Sequence, residues 1–271
     1  MERVTTVDGA PERLIVDVRD AAAFATGHLA GSGHVPAPEL DARRAELPPR
    51  GAALLVVADD GDHARAAATR LETMGYDVAW LDAAVAAHLD GRRSRAPAVR
   101  LWRPAPFLEE MLDRLPRGRA LDVAAGAGRD AVFLALSGWD VAAWDHDAEA
   151  LERANALARR HGVTIATVVA NLENPALALP RGAFELVTCF RFLHRPLLPR
   201  LEAALAPGGV LVYETFRLGQ ERFGRPLSRR HLLASGELAS AFPSLVIEHY
   251  AELEPAGGPI TARVLARRPA R

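Results

Sequence analysis

The chain has 271 residues, of which 49% are hydrophobic, and its formal net charge at pH 7 is −1. This composition predicts packed cores in one large or two ordinary domains, and the near-neutral charge gives no electrostatic basis for binding nucleic acid or an anionic membrane. All 33 basic residues are arginine, which excludes a Schiff-base lysine and a P-loop lysine, and the single cysteine, Cys189, excludes an intramolecular disulfide.

No apolar run is long enough to span a membrane, and the first residues lack the apolar core of a signal peptide. With the low cysteine content, these features predict a cytoplasmic protein.

The first part of the chain alternates short apolar strands with a helix. Predicted strands cover residues 14–19, 54–57 and 78–81, and the alanine-rich residues 63–74 have helical spacing. This alternation predicts a small parallel sheet covered by helices.

Residues 91–97 are polar, rich in arginine and punctuated by glycine and proline, as is typical of a linker. We therefore predict a first domain over residues 1–95 and a second domain over residues 96–271.

Several motifs of the first domain carry a family resemblance. They are Asp17-Val18-Arg19, Phe24, the run GHLAGS at residues 27–32, Val35-Pro36, and the loop ADDGDH at residues 58–63 before the helix. On these motifs the domain resembles a rhodanese, a family whose active members carry a persulfide on a cysteine that opens this loop. Ala58 stands at that position, so the resemblance implies a domain without sulfurtransferase activity. Packing against the second domain and binding a protein partner both stay open as its role.

The most informative segment is LDVAAGAGRD at residues 121–130. An apolar strand leads into Gly126 and Gly128, a helix follows, and a second strand at residues 141–144 ends at Asp145. The glycines let the backbone approach a ligand, and an acid about 20 residues beyond them can accept hydrogen bonds from a ribose. The order predicts a βαβ nucleotide-binding unit.

The glycine pattern alone also fits a nicotinamide site or a plain structural turn. Two further features favour another cofactor. Asp122 lies inside the strand before the glycines, and Pro-Gly-Gly at residues 207–209 leads into a strand at residues 210–215. With them, residues 101–268 resemble the class I S-adenosylmethionine-dependent methyltransferases.

Three segments are most similar to bacterial methyltransferases related to the tellurite-resistance group. They are FRFLHRPLLP at residues 190–199, YETF at residues 213–216, and RFG followed by a proline at residues 222–226. The predicted fold class is therefore α/β, with an N-terminal rhodanese-like α/β domain and a C-terminal Rossmann-like domain around a seven-stranded sheet.

The resemblance implies S-adenosyl-L-methionine as cofactor, bound mainly at the ends of the first three strands, and an acceptor at the ends of the fourth and fifth. The predicted cofactor-binding residues are Asp122, Ala124, Gly126, Gly128, Asp145, His146, Asn171, Leu172 and Phe190. His194 and Glu214, at the fourth and fifth strand ends, are the predicted catalytic residues. No metal site is predicted, and Cys189, inside an apolar strand, is expected to be a buried apolar residue.

The predicted function is methyl transfer to a small-molecule acceptor, either a thiol or chalcogen compound or a small polar or anionic one. Residues 216–226 are polar enough to cap the acceptor site, and arginines 191, 195, 217, 222 and 225 either surround it or lie on the surface. The alternative is a non-catalytic S-adenosylmethionine-binding sensor or scaffold whose inactive rhodanese domain binds a partner.

Overall fold

The structure is a computed structural model that describes residues 1–10 and 12–270. Its chain divides into two compact units, the first over Met1–Arg103 and the second beginning at Pro104. The linker-like composition of residues 91–97 predicted the division after residue 95. The difference arises because Arg93–Ser94 pair with His28–Leu29 as antiparallel strands, and the Val99 amide donates to the Ser32 carbonyl at 3.0 Å.

The first unit is a five-stranded parallel sheet with helices. Its elements are β1 (Glu2–Val4), β2 (Leu14–Asp17), α1 (Ala21–Thr26), β3 (His28–Leu29), β4 (Gly33–His34), β5 (Ala53–Val57), α2 (Gly61–Thr73), β6 (Asp77–Leu81) and β7 (Arg93–Ser94). The sheet order is β1-β6-β5-β2-β4. The three predicted strands and the predicted helix are all present. The edge strands β1 and β4 are too short to give a periodic signal in the sequence.

The centre of this sheet is buried on both faces, as parallel sheets require. Val56 and Leu55 of β5 point to opposite faces and are both fully buried. Next to β5, the Arg19 guanidinium forms a buried ion pair with Asp17 at 2.7 Å and donates to the Gly27 carbonyl at 2.9 Å. This pair satisfies two charges that would otherwise be costly to bury.

The second unit is a seven-stranded sheet with helices on both sides. Its elements are α3 (Pro106–Met111), β8 (Arg119–Val123), α4 (Arg129–Leu136), β9 (Asp140–Asp145), α5 (Ala148–Arg160), β10 (Ala166–Val169), β11 (Phe184–Phe190), α6 (Leu198–Ala204), β12 (Leu205–Phe216), α7 (Glu237–Ser240), β13 (Val246–Leu253) and β14 (Thr261–Arg267). The order is β10-β9-β8-β11-β12-β14-β13, and β14 is antiparallel to both its neighbours. This architecture confirms the predicted fold class.

Two elements are shorter than their apolar patterns indicate. Apolar residues at helical spacing extend over residues 107–115, but α3 ends at Met111 and continues as a 3-10 turn. The apolar residues from 163 onward indicate a strand, but β10 begins at Ala166, because the Val163 amide donates to the Ala158 carbonyl at 3.0 Å and so closes the end of α5.

The topology brings five strand ends together. Because β8 to β12 are parallel, their carboxyl ends meet at one edge of the sheet, where open α/β sheets bind ligands. Among the helices of the described residues, none is long and apolar enough to cross a membrane.

Candidate functional site

The loop after β8 has an unusual backbone. Ala124, Gly126 and Gly128 have φ angles of 58°, 53° and 78°, in the left-handed region. This conformation costs an alanine about 1–2 kcal/mol, and such strain is concentrated at functional sites. Arg191, just after β11 on the neighbouring strand, has a φ of 57°. Two strained non-glycine residues thus lie at adjacent strand ends.

The two loop glycines have different roles. A Cβ at Gly126 would have no heavy atom within 4 Å, so this position faces open space. A Cβ at Gly128 would lie 2.5 Å from the Cβ of Ala154, so Gly128 allows α4 to pack against α5. The structure therefore gives Gly128 a packing role, and a cofactor contact through its backbone stays a prediction.

Asp145, at the end of β9, holds the loop in place. Its Oδ2 accepts from the Gly126 amide at 2.8 Å, and its Oδ1 accepts from the Asp147 amide at 2.9 Å. The sequence predicted only a ribose contact for this acid. Its carboxylate retains further lone pairs for hydroxyl donors. His146 lies next to it and is exposed, with Nδ1 3.1 Å from Asp145 Oδ1.

Two buried carboxylates lie beneath the loop. Asp122 Oδ1 accepts from the Thr188 hydroxyl at 2.9 Å, whereas its Oδ2 is buried without a hydrogen bond of ordinary geometry to any described residue. Burial raises the pKa of Asp122 well above its usual range, and the charge of Asp130 raises it further. Burial also raises the pKa of Asp130, which accepts from the Ala105 amide at 2.6 Å. The charges of Arg191 and Arg129 lower the pKa of Asp130 and so offset part of this acidic pair, and a cationic ligand above the loop would offset more of it.

The end of β10 offers an amide. Asn171 is exposed, and its Oδ1 accepts from the Glu173 amide at 3.0 Å, which leaves the side-chain NH₂ available. The Leu172 side chain packs in the core instead. Phe190 is half-buried at the end of β11, and Cys189 beside it is fully buried, as the sequence predicts.

The two predicted catalytic residues lie in different surroundings. Glu214 shares a sheet face with Asp122 and Thr188, and its Oε1 accepts from the Thr261 hydroxyl at 2.9 Å. His194 instead lines a cavity together with His231. His231 was missed in the sequence because it lies in a run without a motif. Its Nδ1 is 3.4 Å from the carbonyl of Leu193, from which it is separated by 38 positions.

A cavity of about 300 Å³, here called the inner cavity, lies beyond the ends of β11 and β12. It is lined by Arg191, Phe192, Leu193, Phe216, Arg225, Pro226 and His231. The predicted cap, residues 216–226, supplies part of this wall. The inner cavity therefore combines aromatic and apolar surface with basic groups.

Only part of the predicted arginine cluster belongs to this cavity. Arg195, Arg217 and Arg222 form ion pairs, with Glu237 (2.5 Å), Glu252 (2.7 Å) and Glu254 (2.6 Å) respectively. The side chains of Arg191 and Arg225 form no hydrogen bond and no ion pair within 4 Å in residues 1–10 and 12–270, although the Arg191 charge is near enough to lower the pKa of Asp130. Two unpaired guanidinium groups in one cavity are suited to an anion. No group of three or more His, Cys, Asp or Glu side chains in the described residues is placed to bind a metal.

In the first unit, the loop that corresponds to a rhodanese active site contains an acid, Asp60, that caps the following helix. Ala58 is buried after β5, and Asp60 caps α2 by accepting from the His63 amide at 2.8 Å. The helix N-terminus that would stabilise a persulfide is therefore next to a carboxylate.

We expect no thiosulfate:cyanide sulfurtransferase activity, because the Ala58 position has no sulfur. Ala58→Cys should restore little, and Ala58→Cys combined with Asp60→Ser, which keeps a capping oxygen without the charge, should restore more. Thiocyanate formation measures the outcome. Activity of the unmodified protein above a heat-denatured control would contradict the prediction.

A mostly parallel sheet of this order, with a glycine loop after its central strand and an acid at the end of the neighbouring strand, defines a Rossmann-like nucleotide-binding domain. Comparison with known proteins identifies the family. Residues 120–209 match the family profile described as a methyltransferase domain, and residues 5–87 match that of a rhodanese-like domain. The second unit therefore contains a methyltransferase domain and the first a rhodanese-like domain, and these matches support a class I S-adenosylmethionine-dependent methyltransferase with S-adenosylmethionine as its cofactor.

Similar sequences support this assignment. The probable S-adenosyl-L-methionine-dependent methyltransferase TehB of Haemophilus influenzae is 25% identical over 83 residues, 31% of this chain and 29% of TehB. The ribosomal protein L11 methyltransferase of Thermus thermophilus is 35% identical over 96 residues, 35% of this chain and 37% of that protein. The chain thus matches about a third of each relative's length. The resemblance to methyltransferases of the TehB kind is confirmed.

The uncharacterized protein UNK4.09 of Schizosaccharomyces pombe is similar to this chain over both units. It is 24% identical over 287 residues, and the match covers 83% of each chain. Neither unit of this chain makes up 83% of its length, so the match extends over both units.

Solved structures confirm the fold. TehB from H. influenzae superposes with a TM-score of 0.52 at 18% identity, covering 61% of this chain and 62% of TehB. The [4+2]-cyclase SpnF has a TM-score of 0.51 at 16% identity, covering 61% of this chain and 81% of that one. The same fold thus supports different reactions, and the chemistry must be argued from the site.

Proposed function

We propose that the protein transfers a methyl group from S-adenosylmethionine to a small anionic acceptor in the inner cavity. The observation that carries this proposal is the pair of unpaired guanidinium groups, Arg191 and Arg225, beside the aromatic side chains of Phe192 and Phe216. These groups lie past the ends of β11 and β12, at the same sheet edge as the glycine loop. A neutral or cationic acceptor would leave both charges unpaired.

The residues of the loop fit the proposed cofactor. The open space at Gly126 admits a ligand close to the backbone, and the remaining lone pairs of Asp145 can accept from ribose hydroxyls. The Oδ2 of Asp122, which accepts no hydrogen bond of ordinary geometry, and the nearby Asp130 favour a ligand with positive charge. Sulfonium and ammonium groups both meet this condition.

The bound cofactor supplies an electrophilic methyl carbon, so the protein's task is alignment and exclusion of water. Arg191 and Arg225 would hold the acceptor's negative charge, and Phe192 and Phe216 would shield it from solvent. An acceptor that attacks as an anion needs no base.

For an acceptor that must lose a proton, the candidates are His231 in the inner cavity and the predicted residues His194 and Glu214. Both predicted residues adjoin the wall of the inner cavity, because Leu193 precedes His194 and the Arg191 amide donates to the Glu214 carbonyl at 2.8 Å. Glu214 is already bonded to Thr261 on the sheet, so we propose a positioning role for it.

The test is formation of S-adenosylhomocysteine with panels of carboxylates, phosphates, thiols, chalcogen oxyanions and amines. Arg225→Ala should lower kcat/KM for the best acceptor by about 10- to 100-fold, as expected for a lost charge-assisted hydrogen bond, with cofactor affinity unchanged. Arg222→Ala, an exposed arginine of the same segment paired with Glu254, is the matched control and should change little.

Preference for neutral amines, or equal effects of the two substitutions, would contradict an anionic acceptor. Binding of the cofactor without turnover on any panel would instead favour the sensor or scaffold.

A further inference from the structure

A second cavity of about 290 Å³, here called the outer cavity, adjoins the inner one. It is lined by Glu173, Leu193, His194, Arg195, Pro196, Arg230 and His231. Leu193 and His231 line both cavities, so the two are adjacent and share part of a wall. Four of the outer cavity's side chains carry basic nitrogen, against the single carboxylate of Glu173.

One wall of the outer cavity is held by Arg195. Its guanidinium donates to the Glu237 carboxylate, to the Arg230 carbonyl at 2.8 Å and to the Leu232 carbonyl at 2.9 Å. The Arg195 charge is therefore paired with Glu237, and its other donors bond the backbone of residues 230–232. The consequence is a fixed position for Arg230 and His231 beside His194.

Arg230 and His231 are also oriented by each other. Arg230 Nε donates to His231 Nε2 at 2.7 Å, which assigns the proton of a neutral His231 to Nδ1, facing the Leu193 carbonyl. The two terminal NH₂ groups of Arg230 and the ring of His194 have no hydrogen-bond partner among the residues the structure describes. A guanidinium fork with free terminal donors is suited to the two oxygens of a carboxylate or phosphate.

We infer that the outer cavity is an anion subsite, which binds a carboxylate or phosphate carried by the far end of the acceptor. This inference rests on the proposed function, because the acceptor's reactive end would occupy the inner cavity. Leu193, shared by both cavities, would contact the apolar middle of such a molecule. The acceptor class is then an elongated compound with a second anionic group.

The test uses inorganic phosphate and, separately, acetate as probes of the full-length protein saturated with S-adenosylmethionine. Isothermal titration is carried out on the Arg191→Ala/Arg225→Ala double variant, in which anion binding to the inner cavity is removed. We expect one saturable site, and Arg230→Ala should weaken it about tenfold or more. Arg229→Ala, which removes an equal charge from the exposed neighbouring residue, is the matched control and should change affinity less than about twofold.

Because Arg230 also contacts His231, Arg230→Lys serves as a second variant. It keeps the charge but loses the fork, and should bind phosphate with intermediate affinity. Stronger binding of phosphate than acetate assigns the subsite to a phosphate, and comparable binding assigns it to a carboxylate.

Equal losses in Arg229→Ala and Arg230→Ala, the absence of a saturable site, or displacement of S-adenosylmethionine by phosphate would each overturn the inference. The proposed function fails separately, if the unmodified protein does not turn over the cofactor with any acceptor. Turnover that depends on Arg225 in a protein without a phosphate or acetate site would refute the subsite alone.

Discussion

Replacing Gly126 by valine should abolish binding of S-adenosylmethionine. The Cβ of residue 126 would project into open space at the ligand-binding edge of the sheet, and the branched side chain would fill it. We expect affinity to fall about 100-fold or more, equivalent to about 3 kcal/mol, measured by isothermal titration with S-adenosylmethionine and S-adenosylhomocysteine.

Gly162→Val is the control for backbone strain. Gly162 follows α5 with a φ of 69°, and a Cβ there would also have no heavy atom within 4 Å. Both variants therefore place valine in a left-handed conformation, but only one places it in the predicted site. Equal cofactor affinity in both would contradict the position of the site.

Asp145 provides an independent check on the same site. Asp145→Ala removes the acceptor of the Gly126 and Asp147 amides and the predicted ribose partner, and should weaken cofactor binding by about 1–3 kcal/mol. Asp145→Asn retains one acceptor oxygen and should lose less. Unchanged affinity in Asp145→Ala, with the fold intact by circular dichroism, would exclude the predicted ribose contact.

The second large effect concerns stability. Gly128→Ala should destabilise the second unit by roughly 2–5 kcal/mol, because the new Cβ combines left-handed strain with a clash. It would lie 2.5 Å from the Cβ and 3.0 Å from the Cα of Ala154, and backbone atoms cannot yield as a flexible side chain does. Hydrogen exchange of the α4 and α5 amides in cofactor-free protein measures the change within this unit.

Gly126→Ala is the control that separates the cost of left-handed backbone strain from the cost of the steric clash with Ala154. It has similar strain at a φ of 53° but meets no atom within 4 Å, so about 1–2 kcal/mol is expected. A difference between the two variants reports the packing of α4 against α5. If they are equally stable, the packing role of Gly128 is wrong.

Local patterns in the sequence were sufficient to predict the architecture. Alternating apolar strands and helices specify an α/β sheet, and the order of Asp122, the glycine loop and Asp145 specifies a nucleotide-binding βαβ unit. The alanine at position 58 likewise predicts the loss of sulfur chemistry. Each of these signals lies within one element or one turn, where backbone conformation and hydrogen bonding are decided by neighbouring residues.

Tertiary packing alone decided the composition of the two cavities. The residues that line them are Glu173 after β10, residues 191–196 after β11, and Phe216, Arg225, Pro226, Arg230 and His231 from the end of β12 onward. Their convergence depends on the path of the long loop between β12 and α7. The same path determines which arginines form ion pairs and which do not. Arg195 pairs with Glu237, 42 positions away, and Arg217 pairs with Glu252, 35 positions away. No sequence periodicity relates the partners of either pair.

Two predicted site residues have contacts that no local pattern indicates. Gly128 has the torsion angle that its motif predicts, yet the atom it must avoid belongs to Ala154 in the next helix. Glu214 lies at the predicted strand end, but its sheet face follows from pairing with β11 and β14. The sequence by itself determined the fold, the cofactor class and the missing cysteine, because these depend on local backbone chemistry. Only the tertiary structure decided which charged groups are left unpaired in a cavity, because that depends on partners distant in sequence.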